Sequence, residues 1–420
     1  MTSQHADTAP IVIVGSGLTG GNAAVALREG DFRGPIVIIS PEPGVPFGRP
    51  PLSKTYLRSE EELDGWYVRP AGWYAEHDVE VRTGPSAVAV DHAAHSVSLD
   101  TGEALGYQKL LLATGGQNRK LGIPGADLPG VYYLRTLADC DEIKRVAAAG
   151  KRAVVVGMSF IGSEVAASLT QLGVHVTTMF PGKYPLERVL GAEIGAMMAA
   201  IHTENGVDLV ADEHVAAFEG NDRVEAVVGA TGRRAECDFA VVGVGIVPNT
   251  DVAAKSSIEQ SNGILTDELC RTSAPDVYAA GDVANQVHPL FGRVRVEHYN
   301  NAEKHGAAAG RSMLGSTAPF DYLHTFWSDQ YDHKIEYAGH ASKWDAIAFR
   351  GNVADAKVIG FYLEDGFLRA AVGLDRGGDP EVDTDSEMAA CARLVAARAR
   401  PDRSLLADEK VDLWSLVDRS

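Results

Sequence analysis

Two glycine-rich turns constrain this chain more than any other feature, because each stands where an apolar run stops and a helical stretch begins. The first is Ile11-Val12-Ile13-Val14 followed by Gly15-Ser16-Gly17-Leu18-Thr19-Gly20. The second is Ala153-Val154-Val155-Val156 followed by Gly157-Met158-Ser159-Phe160-Ile161-Gly162. A short, wholly apolar run bounded by glycine reads as a buried parallel strand. A helix opening straight after it turns its free N–H groups toward a pyrophosphate. One such turn also occurs as a plain tight connection. Two in one chain imply two dinucleotides, and the pair that makes chemical sense is a flavin with a nicotinamide.

Composition bounds the rest. A length of 420 residues with 45% hydrophobic content suits two to four domains with real cores. No apolar run approaches the roughly 18 residues of a membrane helix. The polar start of the chain, residues 1–10, predicts neither a signal nor a transit peptide. Cys140, Cys237, Cys270 and Cys391 lie far apart with no Cys-x-x-Cys, so electrons have no dithiol to pass through. Both features predict a cytoplasmic protein. The formal net charge of −19 argues against nucleic acid or an anionic membrane as partner. An acidic redox protein would need a locally basic docking patch.

The pattern along the chain predicts an α/β fold with two doubly wound dinucleotide-binding domains and a C-terminal α+β domain. Strand Ile11–Val14, a helix over 20–29, strand Ile36–Ser40, a polar loop from Pro41 to Lys54, alternating strands over 88–99 and the run Lys109 to Leu112 form the first unit. Strand 153–156, helix 162–172, strand 174–179 and the run Phe239 to Gly245 repeat the plan. The later apolar strand Asp276 to Asp282 suits the first sheet, so the second domain is inserted into the first. The expected boundaries are 1–118 with 247–322, 119–246, and 323–420. The last part carries strands near 334–338, 358–363 and 368–372 and a helix over 386–397.

Gly15-Ser16-Gly17-Leu18-Thr19-Gly20, Arg49-Pro50-Pro51-Leu52-Ser53-Lys54, Ala113-Thr114-Gly115, Ala280-Gly281-Asp282 and Phe326-Trp327-Ser328-Asp329 occur in that order. Together they resemble the flavin-dependent ferredoxin reductases of oxygenase systems, the putidaredoxin reductase type, and their relative apoptosis-inducing factor. Phe160-Ile161-Gly162-Ser163-Glu164, Phe180-Pro181 and Val296-Glu297-His298 lean toward the latter branch. The resemblance implies a non-covalent FAD, NADH as donor, and a ferredoxin or Rieske-type iron–sulfur acceptor, with a homodimer possible in such proteins.

For the flavin, Gly15, Gly17 and Gly20 give the turn, the close backbone approach and the helix packing, with Thr19 beside them. Arg49 and Lys54 supply cations for the diphosphate and the isoalloxazine. Ala113, Thr114, Gly115, Gly281 and Asp282 line the strand ends, Asp282 at a helix start. Arg135, Tyr299 and Trp327 join the set through the resemblance. The acidic residue expected for the flavin ribose falls at Pro41, with Glu42 the adjacent substitute.

For the nicotinamide, Gly157, Ser159, Ile161, Gly162 and Gly245 form the turn and its surroundings. Phe180 stands where NAD enzymes usually carry a carboxylate for the 2′-hydroxyl. With Lys183 nearby, NADPH stays open beside NADH, and the shared Phe-Pro favours NADH. The resemblance places Glu164 and Glu297 at the carboxamide, Phe160 on the ring face, and His298 and Trp327 beside the flavin. Each has a plainer alternative: Glu164 as a helix-surface charge, Phe160 as core, His298 as a structural histidine. Hydride transfer by positioning follows, with the flavin splitting the electron pair. The alternative function is a slow NADH-binding flavoprotein whose reduced state controls assembly. No metal site is expected.

Overall fold

The computed structural model describes residues 9–417, so most of the N-terminal stretch read above for targeting lies outside the described residues. By contact the chain forms two compact units. The first comprises Met1–Arg49, Glu62–Gln117 and Ile246–Tyr322; the second comprises Pro50–Glu61, Asn118–Gly245 and Leu323–Ser420.

The first unit is built on a five-stranded parallel sheet in the order Val277–Ala279, Lys109–Leu112, Ile11–Val14, Ile36–Ser40, Val79–Thr83. Ile13 lies opposite Ile38 on one side and Leu111 on the other. All four residues of Ile11–Val14 are buried, as expected of a central strand covered on both faces. Each buried Ile, Val or Leu of this kind contributes about 1.5–3 kcal/mol of transfer free energy. The late strand does return to this sheet, with Tyr278 opposite Leu111. Helix Leu18–Glu29 packs against helix Tyr299–Met313 along a seam of small residues. A Cβ on Gly306 would run into the Thr19 carbonyl, and one on Gly310 into Ala23 O. Bulkier side chains there would drive the two helices apart.

In the second unit the parallel order is Asp208–Val210, His175–Met179, Arg152–Val156, Phe239–Val242, Val131–Tyr133. Its C-terminal part is a five-stranded antiparallel sheet in the order Thr325–Gln330, His333–Gly339, Phe367–Leu374, Lys357–Glu364, Ala346–Asn352. Helix Glu387–Ala396 buries Met388, Leu394 and Val395, and this α+β portion completes the expected fold class. Arg350, nearly buried, anchors the tail by donating to the carbonyls of Asp408 and Val411 and pairing with Glu387.

Several local expectations need correction. The loop after Ile36–Ser40 is not wholly irregular: Pro50–Ser53 forms a 3₁₀ turn, and Pro50–Glu61 belongs to the second unit. Asp282 opens no helix. Gly281–Val283 is a single 3₁₀ turn, and the chain then continues as strand Ala284–His288 because it pairs with both Ile264–Leu265 and Gly292–Val294. Strands Thr325–Gln330 and Ala346–Asn352 were not expected. The first reads as a polar motif, yet its alternation buries Phe326, Ser328 and Gln330 on one face.

Candidate functional site

The first glycine turn has the geometry its sequence implies. Gly15 sits at φ +116°, and a Cβ there would collide with the Ala113 carbonyl oxygen. Only glycine satisfies both conditions. A Cβ on Gly20 would strike the Gly15 carbonyl, which brings the helix tight onto the turn. Gly17 differs: a Cβ there meets no atom within 4 Å, so the backbone borders open space. No side chain caps this helix and its first turn carries no acidic residue. Uncapped N–H groups beside an open backbone fit the pyrophosphate of FAD.

Around this turn lie the other first-unit residues. Thr19 donates to the Ala302 carbonyl. Thr114 Oγ1 donates to Asn249 O at 2.7 Å, the Asn249 amide returns to Thr114 O at 3.0 Å, and Gly115 O accepts from Asn249 N. Arg49 and Glu42 form an ion pair at 2.5 Å and both are largely buried. Glu42 is therefore held by the loop's own arginine, beside Pro41. Gly281, at φ +76°, faces the Thr19 side chain, and its N–H donates to His305 Nδ1 at 3.1 Å. His305 is fully buried and stacks on Phe320, and burial pushes its ring pKa down to about 3, which keeps Nδ1 an acceptor. Asp282 contributes its carbonyl to Arg295, and Arg295 pairs with Glu297 at 2.5 Å. His298 stands at the N-cap position of helix Tyr299–Met313 in extended backbone, without a side-chain cap, and Tyr299 meets Trp66 edge-on at 6.0 Å.

The second turn repeats the construction inside the second unit. Gly157 is at φ +93° against the Gly243 carbonyl, and a Cβ on Gly162 would strike Gly157 O. Ser159 occupies the place of Gly17; it makes no side-chain cap, and the first helical turn again lacks an acid. Gly245, at φ +92°, accepts from Arg119 N. A pocket at the turn is lined by Val156, Gly157, Met179, Pro181, Glu213 and Val244. Phe180 is buried, and Lys183 is exposed with its ammonium 5.1 Å from the Tyr184 ring. Glu213 is the carboxylate that lines the pocket, and sequence reasoning missed it. The Thr231 hydroxyl and N–H hold its carboxyl below the usual range. Arg135 is half-buried just before a capping box at Thr136 and Asp139.

Glu164 is not a helix-surface charge. It is 3% exposed, on helix Phe160–Gln171, and four groups converge on it. Ser53 Oγ donates to Oε2 at 2.5 Å, Lys54 Nζ lies 2.7 Å from the same oxygen, and Ser328 Oγ donates to Oε1 at 2.7 Å. Asp329, the fourth, is near enough to feel the Glu164 charge; burial raises its carboxyl pKa, opposed by Lys54, Lys334 and a bond from the Trp327 side chain. Lys54 thus lies in a different unit from Arg49, and Glu164 in a different unit from Glu297. Phe160 packs edge-on against Phe326 at 5.0 Å, so within its own unit it is half core, while Ile161 is 48% exposed. Ser53 and Ser328 escaped notice although both sit inside the motifs quoted above, where charge and aromaticity drew attention to their neighbours.

The described residues contain no group of His, Cys, Asp or Glu able to hold a metal and no helix long and apolar enough to cross a membrane. All four cysteines are free and buried, and burial pushes the Cys140 and Cys237 thiols up to about 12.

A profile of the pyridine nucleotide-disulphide oxidoreductase family matches residues 9–306, and one of the reductase C-terminal domain matches residues 325–417. The chain is 37% identical to rhodocoxin reductase of Rhodococcus erythropolis over 82% of its length and 81% of that protein's. It is 36% identical to the ferredoxin--NAD(+) reductase component of the anthranilate 1,2-dioxygenase system of Burkholderia cepacia, over 97% and 99% of the two chains. Among solved structures it superposes on the reductase of the covalent putidaredoxin reductase–putidaredoxin complex with a TM-score of 0.92 and 32% identity, covering 98% of each chain. The chain belongs to the pyridine nucleotide-disulphide oxidoreductase family, as an NAD(P)H-dependent flavoprotein reductase of the putidaredoxin reductase type that uses FAD and NADH.

Proposed function

We propose that this enzyme takes hydride from NADH and delivers electrons one at a time to a ferredoxin or Rieske-type iron–sulfur protein. The observation that carries the reading is the pair of matching glycine turns, one in each unit, each with an uncapped helix N-terminus behind it. The names of the relatives, reductase components of oxygenase systems, point to the same acceptor class. Residues 1–118 with 247–322 would hold FAD, 119–246 the nicotinamide nucleotide, and 323–420 would complete the enzyme.

Bound FAD supplies the conversion between two-electron and one-electron chemistry. The chain's own residues supply binding and orientation. The N–H groups behind Gly17 and Ser159 receive the pyrophosphates, and Arg49, braced by Glu42, adds positive charge near the first of them. Glu213 keeps negative charge in the pocket at Gly157, which supports NADH over NADPH although Phe180 offers no carboxylate. Glu164, locked by Ser53, Lys54 and Ser328, receives the carboxamide that sets which face of the nicotinamide is presented. The buried thiols take no part.

Rapid mixing tests the exit of electrons. After anaerobic reduction by NADH, reoxidation by an added ferredoxin should outpace reoxidation by air. Indifference to ferredoxin, with a long-lived reduced complex, would instead favour a slow redox-responsive flavoprotein.

A further inference from the structure

Behind Glu164 a line of polar groups runs through the interior of the second unit. Ser328 Oγ bonds Glu164 Oε1 at 2.7 Å, and Gln330 Nε2 reaches Ser328 Oγ at 3.2 Å. Gln330 Oε1 lies 3.0 Å from His202 Nε2, and His202 Nδ1 lies 3.0 Å from the Tyr331 hydroxyl. Glu164, His202, Ser328 and Gln330 are each 3% exposed or less. Three separate elements contribute: helix Phe160–Gln171, helix Glu187–Glu204, and strand Thr325–Gln330 with the turn after it.

The carboxylate fixes the direction of every bond. An ionised Glu164 only accepts, so the Ser328 proton points to it, and Ser328 Oγ must accept from the Gln330 amide nitrogen. That turns Gln330 Oε1 toward His202, which must then carry its proton on Nε2. A neutral ring leaves Nδ1 as acceptor, and Tyr331 O–H completes the line. Burial supports each protonation state: it pushes the His202 ring down to about 4 and the Tyr331 phenol up to about 12. All four donors therefore point the same way, toward the carboxylate. Such an aligned chain polarises cooperatively in a low-dielectric interior.

We infer that Tyr331, His202, Gln330 and Ser328 form a positioning line that holds the Glu164 carboxylate in one rotamer for the nicotinamide. The inference rests on the role proposed for Glu164. Lys54 and Ser53 brace one oxygen from the loop side, and the line braces the other from the interior. The carboxylate is thereby clamped rather than merely buried.

Stopped-flow reduction of the FAD-loaded enzyme by NADH, across an NADH series, tests it. Ser328→Ala should cost about tenfold in NADH affinity or in limiting reduction rate, as expected for loss of a bond to a charged acceptor. Ser328→Thr should restore both to within about twofold, and Tyr331→Phe, four bonds away, should cost about twofold. In a Glu164→Gln background Ser328→Ala should cost nothing further, because the line acts only through that carboxylate. A loss of melting temperature with unchanged NADH kinetics would overturn the proposal, as would the same Ser328→Ala penalty in both backgrounds. If Ser328→Ala does not fold, kinetics of Tyr331→Phe equal to the parent overturn it. Glu164→Gln with parental kinetics would remove the nicotinamide role of Glu164 itself, and is thereby told apart from failure of the line.

Discussion

Lys54 Nζ lies 2.7 Å from Glu164 Oε2, joining a proline-anchored loop to a helix far along the chain. Both side chains are almost fully withdrawn from solvent. Two charges in such surroundings stabilise each other only as a pair, and removing one strands the other. Lys54→Met should therefore lower stability by about 3 kcal/mol. Lys54→Met with Glu164→Gln should recover part of the loss. Thermal melting of the four combinations checks this, and equal melting points throughout would contradict it.

The two glycines of the first turn should behave differently. Gly15→Ala forces a side chain into a positive-φ position against the Ala113 carbonyl, so little folded yellow protein should be recovered. Gly17→Ala meets no protein atom, so the chain should fold with near-normal melting while FAD affinity falls by about tenfold or more. Flavin fluorescence titration of the refolded protein distinguishes them.

Glu213→Gln should narrow the preference for NADH over NADPH. The substitution removes charge from the pocket at Gly157 while keeping an acceptor for Thr231. Comparing kcat/KM for the two nucleotides gives the answer, and an unchanged ratio would show that Glu213 does not sense the 2′ position.

Two buried groups predict opposite pH trends. The His202 ring falls from its ordinary 6.5 to about 4, so its stability contribution is full above pH 6.5 and is lost as pH falls toward 4. Glu336 rises from 4.5 to about 7, because burial outweighs the Lys334 ammonium 2.7 Å away. Its contribution is full below pH 4.5 and is lost as pH rises through 7. Each spans roughly 3 kcal/mol at most. Glu336→Gln should flatten the decline between pH 4.5 and 7, and His202→Gln the rise between 4 and 6.5, in melting curves taken across that range.

The cysteines should be dispensable. All four are buried as free thiols, so native enzyme should resist alkylation and a variant with every cysteine replaced by alanine or serine should keep its NADH-dependent activity. Rapid labelling coupled to inactivation would contradict a cysteine-free electron route.

Much of this was legible in the sequence because it depends on local rules. The runs 11–14 and 153–156 are apolar throughout, and the glycines after them fix the turns, so the central strands of both sheets and the return of Val277–Ala279 could be read directly, whereas the shorter or half-polar outer strands Val79–Thr83, Val131–Tyr133 and Asp208–Val210 could not. The surroundings of Glu164 could not. Its partners Ser53, Lys54 and Ser328 come from segments more than 100 residues away, and a carboxylate on a helix looks the same in sequence whether solvated or clamped. His202 was hidden likewise, one polar residue in the otherwise apolar helix stripe that buries Met198 and Ile201. Glu213 was missed because the usual rule inspects the second strand end, where Phe180 stands, and not the third.

The central claim is that one chain holds FAD and NADH, each on its own glycine turn. The most direct measurement is an anaerobic titration of the purified protein with NADH, followed by visible absorbance. The account predicts one FAD per chain, bleached by about one equivalent of NADH, and much weaker bleaching with retained yellow colour in Ser159→Trp, because Ser159 is exposed at the second turn in ordinary extended backbone. A colourless protein that takes up no FAD, or a bound flavin that stays oxidised under excess NADH, would contradict it.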